Sequence, residues 1–223
     1  MKTKNKKRYF GWLFLLCIFP SLIFAAEPAN LALAKQAVAR YYDSGEYDRD
    51  VSKVAIAAQD YLAKRLRANQ LNPKKLAVVF DIDDTLISNY PQVKARDFAQ
   101  TRKDVDEVIG GDGAVTVPGM LKLFNFAKAH QVTVILVTGR PEKLRDHTVD
   151  QLKQAGYAEW DQLYLRSPDQ KDLNAAAYKT TIRKNVEQQG YEVVLNIGDQ
   201  YSDLTGGYAD KTFKLPDPMY FIK

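Results

Sequence analysis

The chain is poor in the residues that many catalytic chemistries need. Its 223 residues include one cysteine, Cys17, and two histidines, His130 and His147. One cysteine excludes an internal disulfide framework. Because Cys17 lies in the leading apolar segment, a chain cleaved behind that segment has no thiol nucleophile and no zinc–thiolate site. Two histidines are too few for a histidine nucleophile with partners or for a dinuclear zinc centre, and both read as helix-surface residues. No Gly-Lys-Thr and no Gly-x-Gly-x-x-Gly follows a strand pattern, so Gly110-Gly111-Asp112-Gly113 reads as a loop and not as a phosphate cradle. There is no internal repeat and no low-complexity tract.

The charge surplus is also local. The net charge is +5, and Lys2, Lys4, Lys6, Lys7 and Arg8 account for all of it. The remainder is balanced and gives no reason to expect a nucleic-acid partner. With 46% hydrophobic and 26% charged residues the composition is globular.

The amino terminus has the order of an export signal: a basic stretch, the apolar run Tyr9–Phe24, then Ala25-Ala26 before Glu27-Pro28. The run is shorter than the roughly 20 residues a spanning helix needs, and Pro20 interrupts it. The expectation is a signal peptide over residues 1–26, a periplasmic or secreted protein, and no stable membrane partner after cleavage. The alternative is an uncleaved anchor, because Ile23 and Phe24 are large for the position three before the cut. Leu16 is larger than a lipid-attachment signal at Cys17 favours.

Residues 27–75 form an N-terminal helical region, broken into two helices at Asp43-Ser44-Gly45. Val51, Val54, Ala55, Ala58, Tyr61, Leu62 and Leu66 make one apolar stripe in the second. From residue 76 the texture changes. Short apolar runs at 76–80, 132–137, 162–166 and 192–197, with an edge strand at 211–215, alternate with helical segments at 118–129, 142–155 and 175–189. This predicts an α/β fold with a Rossmann-like parallel sheet sandwiched by helices, preceded by the helical extension. Residues 88–116 fit no strand and read as a small helical insertion after the first strand. In such sheets ligands bind beyond the carboxyl ends of the strands.

Chemistry-bearing residues stand at those ends. Asp81 and Asp83 follow the first strand; in extended geometry both face one side, about 6–7 Å apart. Two carboxylates that close repel unless a hard cation sits between them, though a solvated acidic turn is the plain alternative. An EF-hand is excluded by Leu86 and Gln92 where Gly and Glu would be needed. Thr138-Gly139-Arg140 ends the second strand with anion donors and a cationic fork. Lys179 opens a helix, and Asp199 and Asp203 follow the fourth strand.

In this order the pieces resemble the four motifs of the haloacid dehalogenase superfamily: Asp81-Ile82-Asp83-Asp84-Thr85, Thr138, Lys179, and Gly198-Asp199 with Asp203. Thr138-Gly139-Arg140-Pro141-Glu142 with Arg145, Ala155-Gly156-Tyr157 with Trp160, Leu163-Tyr164-Leu165-Arg166, and Gly198 through Leu204 look like its acid phosphatase subfamily, plant and bacterial. The likeness spans roughly 76–215, within a domain of residues 76–223. It implies an Mg²⁺-dependent acid phosphatase on small phosphomonoesters: Asp81 as nucleophile forming an aspartyl-phosphate, Asp83 as acid and base, Thr138, Gly139, Arg140 and Lys179 on the phosphoryl group, and the metal held by Asp81, Asp83 through its backbone carbonyl, Asp199 and Asp203. A non-catalytic storage protein and a phosphotransferase to alcohols are the alternatives. The chain departs from the plant-type pattern at Ser88-Asn89-Tyr90-Pro91, where Asn-Pro-Tyr is usual, which leaves the leaving-group preference open. Substrate identity and oligomeric state are not written in these motifs, and Tyr41, Tyr42, Tyr47 and Tyr90 read as packing residues.

Overall fold

The computed structural model describes residues 28–71, 73–99 and 113–222. The leader over residues 1–26 and Gly110-Gly111-Asp112 lie outside the described residues.

Two helices come first. Helix α1 is Leu31–Asp43, opened by Asn30, whose side chain accepts from the Leu33 amide at 3.2 Å. Helix α2 is Glu46–Asn69. Between them Gly45 takes a left-handed conformation with φ 72°, which a residue without a Cβ adopts at little cost. The stripe predicted for α2 is its buried face: Tyr47, Val51, Ala55, Ala58 and Leu62 join the core.

Strand β1 (Lys75–Phe80) is the middle of a five-stranded parallel sheet that also contains β4 (Thr133–Pro141), β5 (Gln162–Arg166), β6 (Tyr191–Gly198) and β7 (Lys211–Lys214), in the order β5-β4-β1-β6-β7. Side chains alternate through the sheet. Leu76, Val78 and Phe80 face a core shared with α2 and with α4 (Pro118–Ala129). Ala77 and Val79 face the opposite core, closed by Tyr178, Ile182 and Val186 of α6 (Ala175–Gln188). Helix α5 (Arg145–Gln154) returns the chain from β4 to β5 and adds Leu152 to the first core.

The chain winds from β1 outward through β4 to β5, then crosses back to β6 and β7. The loops after β1 and β6 therefore diverge, and a crevice opens between them at the carboxyl end of the sheet, where ligands bind in doubly wound folds.

Three boundaries differ from the sequence reading. The base of the insertion is a strand pair, β2 (Ile87–Ser88) with β3 (Val115–Thr116), where none was expected. Two residues per strand are too few to show a period. Tertiary bonds hold the pair, among them the Tyr157 hydroxyl donating to the Leu86 carbonyl at 2.9 Å. Helix α3 (Tyr90–Ala95) follows β2. Strand β4 runs past the apolar run to Pro141, with Thr138, Gly139 and Arg140 at its end as expected, and the segment at 142 opens as a 3-10 turn, Glu142–Leu144.

Leu62 of α2 is fully buried against the sheet. Leu62→Ala should cost about 2–5 kcal/mol by the loss of buried methyl groups and the cavity left behind. A urea unfolding curve measures this, and an unchanged midpoint would mean that α2 is not part of the core.

Candidate active site

Asp81 is the first residue past β1, and its amide donates to the Ile197 carbonyl of β6 at 2.9 Å. The chain then turns tightly: the Ile82 carbonyl accepts from the amides of Thr85, Leu86 and Ile87, and Asp84 sits at φ 53°. This turn ends the extended geometry assumed for Asp81 and Asp83. Their carboxylates go to different partners, Asp81 to Lys179 and Asp83 to Arg140.

Asp81, Asp199 and Asp203 are buried and each offers a carboxylate oxygen within 4.8 Å of the others. The Asp83 side chain is outside this triad. Lys179 comes from the opposite layer and bonds both Asp81 and, at 2.7 Å, Asp203. Desolvation works against its ammonium, but the two carboxylates outweigh that and hold its pKa above the ordinary lysine value. Burial pushes Asp81 up to about 7 against the pull of Lys179. Burial also raises Asp199 well above the carboxylate range, with Asp81, Asp203 and Asp84 adding to the effect. Asp199 is bonded to Thr85 Oγ1 at 3.2 Å on Oδ1, to Gln200 Nε2 at 2.7 Å and the Tyr220 hydroxyl at 3.4 Å on Oδ2, and to a second carboxyl, that of Asp217. Lys179 supplies one positive charge for three buried acids. The donor set is all oxygen and lacks positive charge, so a hard divalent cation fits it.

Gly198 makes the triad possible. A Cβ there would overlap the Asp203 side chain, so the glycine lets that carboxylate reach Lys179.

Asp83 is held differently. Arg140 is fully buried and gives Nε and Nη2 to Asp83, at 3.0 and 2.7 Å, and Nη1 to Thr148 and Gln151 at 3.2 and 2.7 Å. Thr138 Oγ1 donates to Asp83 at 3.3 Å and Asn89 Nδ2 at 3.1 Å. Burial opposes the ionised form of Asp83, but the Arg140 guanidinium outweighs it and keeps the carboxyl below its usual range. Arg140, expected as a cationic fork for phosphate, braces Asp83, because it stands within the buried end of β4 and faces α5. Gly139 next to it is exposed, leaving backbone at the mouth of the crevice.

Several groups at the site had no role in the sequence reading. Asp84 is buried and accepts from the Asn89 amide at 2.8 Å and from the Tyr220 hydroxyl at 2.9 Å. Gln200 binds Asp217 at 2.6 Å. Arg183 ties α6 to the short helical turn after β6, Tyr201–Leu204, through the Asp203 carbonyl at 2.7 Å. The acidic turn in the sequence pointed toward Asp84. Asp217 and Tyr220 carry no spacing signal, since the C-terminal segment reaches the site only through the fold. Tyr42 stacks on Tyr47 and Tyr90 with ring centroids 4.3 and 4.1 Å apart, the packing role expected of them. His130 packs against Phe126 at the end of α4, exposed, as expected.

A family model described as HAD superfamily, subfamily IIIB (Acid phosphatase) matches residues 21–223. The chain belongs to this family. It is an acid phosphatase of haloacid dehalogenase type, with the fold that the motifs implied. It is similar to the stem 28 kDa glycoprotein of Glycine max, 36% identical over 188 residues, which are 82% of this chain and 72% of that one. It is also similar to acid phosphatase 1 of Solanum lycopersicum, 36% identical over 65% of this chain and 58% of that one, and to vegetative storage protein 2 of Arabidopsis thaliana, 32% identical over 89% and 74%. The Class C acid phosphatase from Bacillus anthracis shares the fold, with a TM-score of 0.72 over 86% of each chain at 20% identity.

Burial raises Asp84 from an ordinary value near 3.8 to about 7, with Asp217 adding to it. Between those values the unfolded chain has released a proton that the folded chain keeps. Stability without metal therefore falls as pH rises from about 4 to 7, by on the order of a few kcal/mol. In EDTA the melting temperature should be lower at pH 7 than at pH 5, and Asp84→Asn should reduce the drop. A midpoint that climbs toward pH 7 would contradict the assignment.

Proposed function

We propose that this protein is exported, its leader over residues 1–26 being removed, and that it hydrolyses small phosphomonoesters through an aspartyl-phosphate on Asp81 with Mg²⁺ as cofactor. One observation carries the reading. A buried Asp81 is paired with Lys179 at the switch point of the sheet, while a second carboxylate, Asp83, stands next to it on a separate set of donors. Among the described residues no helix is long and apolar enough to cross a membrane.

The two carboxylates suit two roles. Asp81 is oriented by Lys179 and its own backbone bond to β6, as a nucleophile needs. Its oxygen attacks phosphorus as the ester oxygen leaves. Lys179, Thr138 and the exposed backbone at Gly139 lie where the phosphoryl oxygens gather, and Lys179 neutralises part of their charge. Asp83 is more open than the triad, with 19% of its side chain exposed. It donates a proton to the leaving alcohol and afterwards takes one from the water that cleaves the acyl-phosphate. The Arg140 brace favours its ionised form, which suits the second step. In the first step the brace has to give up some of its hold, and acidic pH helps. Asp81, Asp199 and Asp203 would hold the Mg²⁺, whose charge lets an anionic carboxylate approach an anionic ester.

The purified chain should release phosphate from p-nitrophenyl phosphate at pH 5–7 with Mg²⁺ and lose this in EDTA. Asp81→Asn should lower turnover by at least about 10³-fold while still folding. Full activity in Asp81→Asn removes the nucleophile assignment. No release in any condition favours a storage role, the reading that vegetative storage protein 2 brings to mind. Phosphoglycerol formed in excess glycerol would identify transfer to alcohols.

A further inference from the structure

The last residues of the chain return to the site. Strand β7 ends with the Leu215 amide donating to the Gly198 carbonyl at 2.9 Å, next to Asp199. Pro216 and Pro218 then prevent a further strand or helix. Asp217 Oδ1 accepts from the Met219 amide at 2.8 Å, an Asx turn that folds the segment back over the strand ends. The Tyr220 hydroxyl comes to rest between two carboxylates, 2.9 Å from Asp84 Oδ2 and 3.4 Å from Asp199 Oδ2. The Ile222 amide donates to Gln200 Oε1 at 3.1 Å.

Gln200 is buried and is the joint between this segment and Asp199. Its Nε2 reaches Asp199 Oδ2 at 2.7 Å and Asp217 Oδ2 at 2.6 Å, and its Oε1 is taken by Ile222. Two of the contacts that set this amide come from residues 217–222, and a capping bond from the Asp203 backbone adds to them. The hold on Asp199 is then one amide anchored by the C-terminal segment, with one hydroxyl and the Asp217 carboxyl on that segment, while Oδ1 is held from the β1 turn by Thr85. Outer partners of this kind orient a metal-binding carboxylate.

We propose that the C-terminal segment Pro216–Ile222 is a positioning element of the cation site, which fixes the Asp199 carboxylate through Gln200 and the Tyr220 hydroxyl. The inference rests on the proposed cation at Asp81, Asp199 and Asp203. It makes segment 216–222, which carries no motif of its own, part of the active centre through Gln200 of the fourth motif. Tyr220 acts on Asp199 and not on substrate, so it is a positioning residue.

The test uses Mn²⁺ alone as the probe, titrated into the full metal-free chain and followed by electron paramagnetic resonance, beside Tyr220→Phe and Asp217→Ala. Tyr220→Phe keeps the ring and removes only the hydroxyl; Asp217→Ala frees the Gln200 amide and removes the Asp217 contact with Asp199. Each variant that melts cooperatively is titrated, and at least one should bind Mn²⁺ about tenfold more weakly. Affinities within twofold of the parent in both, with only the melting temperature lowered, would mean ordinary packing and overturn the inference while leaving the proposed function intact. A parent chain that binds no Mn²⁺, and behaves as Asp199→Asn does, would overturn the cation reading and this inference together.

Discussion

Three carboxylates are buried where a parallel sheet switches direction, and Lys179 is what makes that burial bearable. An isolated buried carboxylate is strongly disfavoured. Lys179 crosses from the helix layer to bond Asp81 and Asp203, and burial of the ammonium is offset by the same two acids. Much of the local structure serves this arrangement. Gly198 gives up a side chain so that Asp203 can approach, Arg183 fixes the helical turn that carries Asp203, and the Asp81 amide is bonded to β6. One ammonium does not balance three acids, and the shortfall is the physical basis for a cation.

The site also separates two adjacent carboxylates by environment. Asp81 is raised by desolvation and Asp83 is lowered by Arg140, although only Ile82 lies between them. The tight turn after β1 sends them to different partners, and the extension of β4 to Pro141 brings Arg140 into the brace. The fold supplies these different surroundings through two strands and one turn, and the proposed nucleophile and acid–base roles would need them. The C-terminal segment adds a third layer of support, tying Asp84, Asp199 and Gln200 to residues at the far end of the chain.

How much was legible in the sequence depends on the range of the interaction. The stripe on α2, the apolar runs of the sheet and the break at Gly45 depend on neighbours within a turn or a strand, and they stand where the pattern placed them. The pair β2–β3 was not legible, because it is too short to show a period and is held by Tyr157 and Val117 from other elements. The partners of Arg140 were not legible for a related reason. An arginine after a strand looks free until Asp83, Thr148 and Gln151 are found around it.

By itself the sequence determined the fold class and put acids at the strand ends, because apolar periodicity and residue order are local facts. Only the tertiary structure decided the partners. It set Asp81 on Lys179 and Asp83 on Arg140, grouped Asp81 with Asp199 and Asp203, and brought Asp217 and Tyr220 to the site. Each of those contacts joins residues far apart in the chain, and which carboxylate meets which cation is set by how strands, helices and the final segment pack.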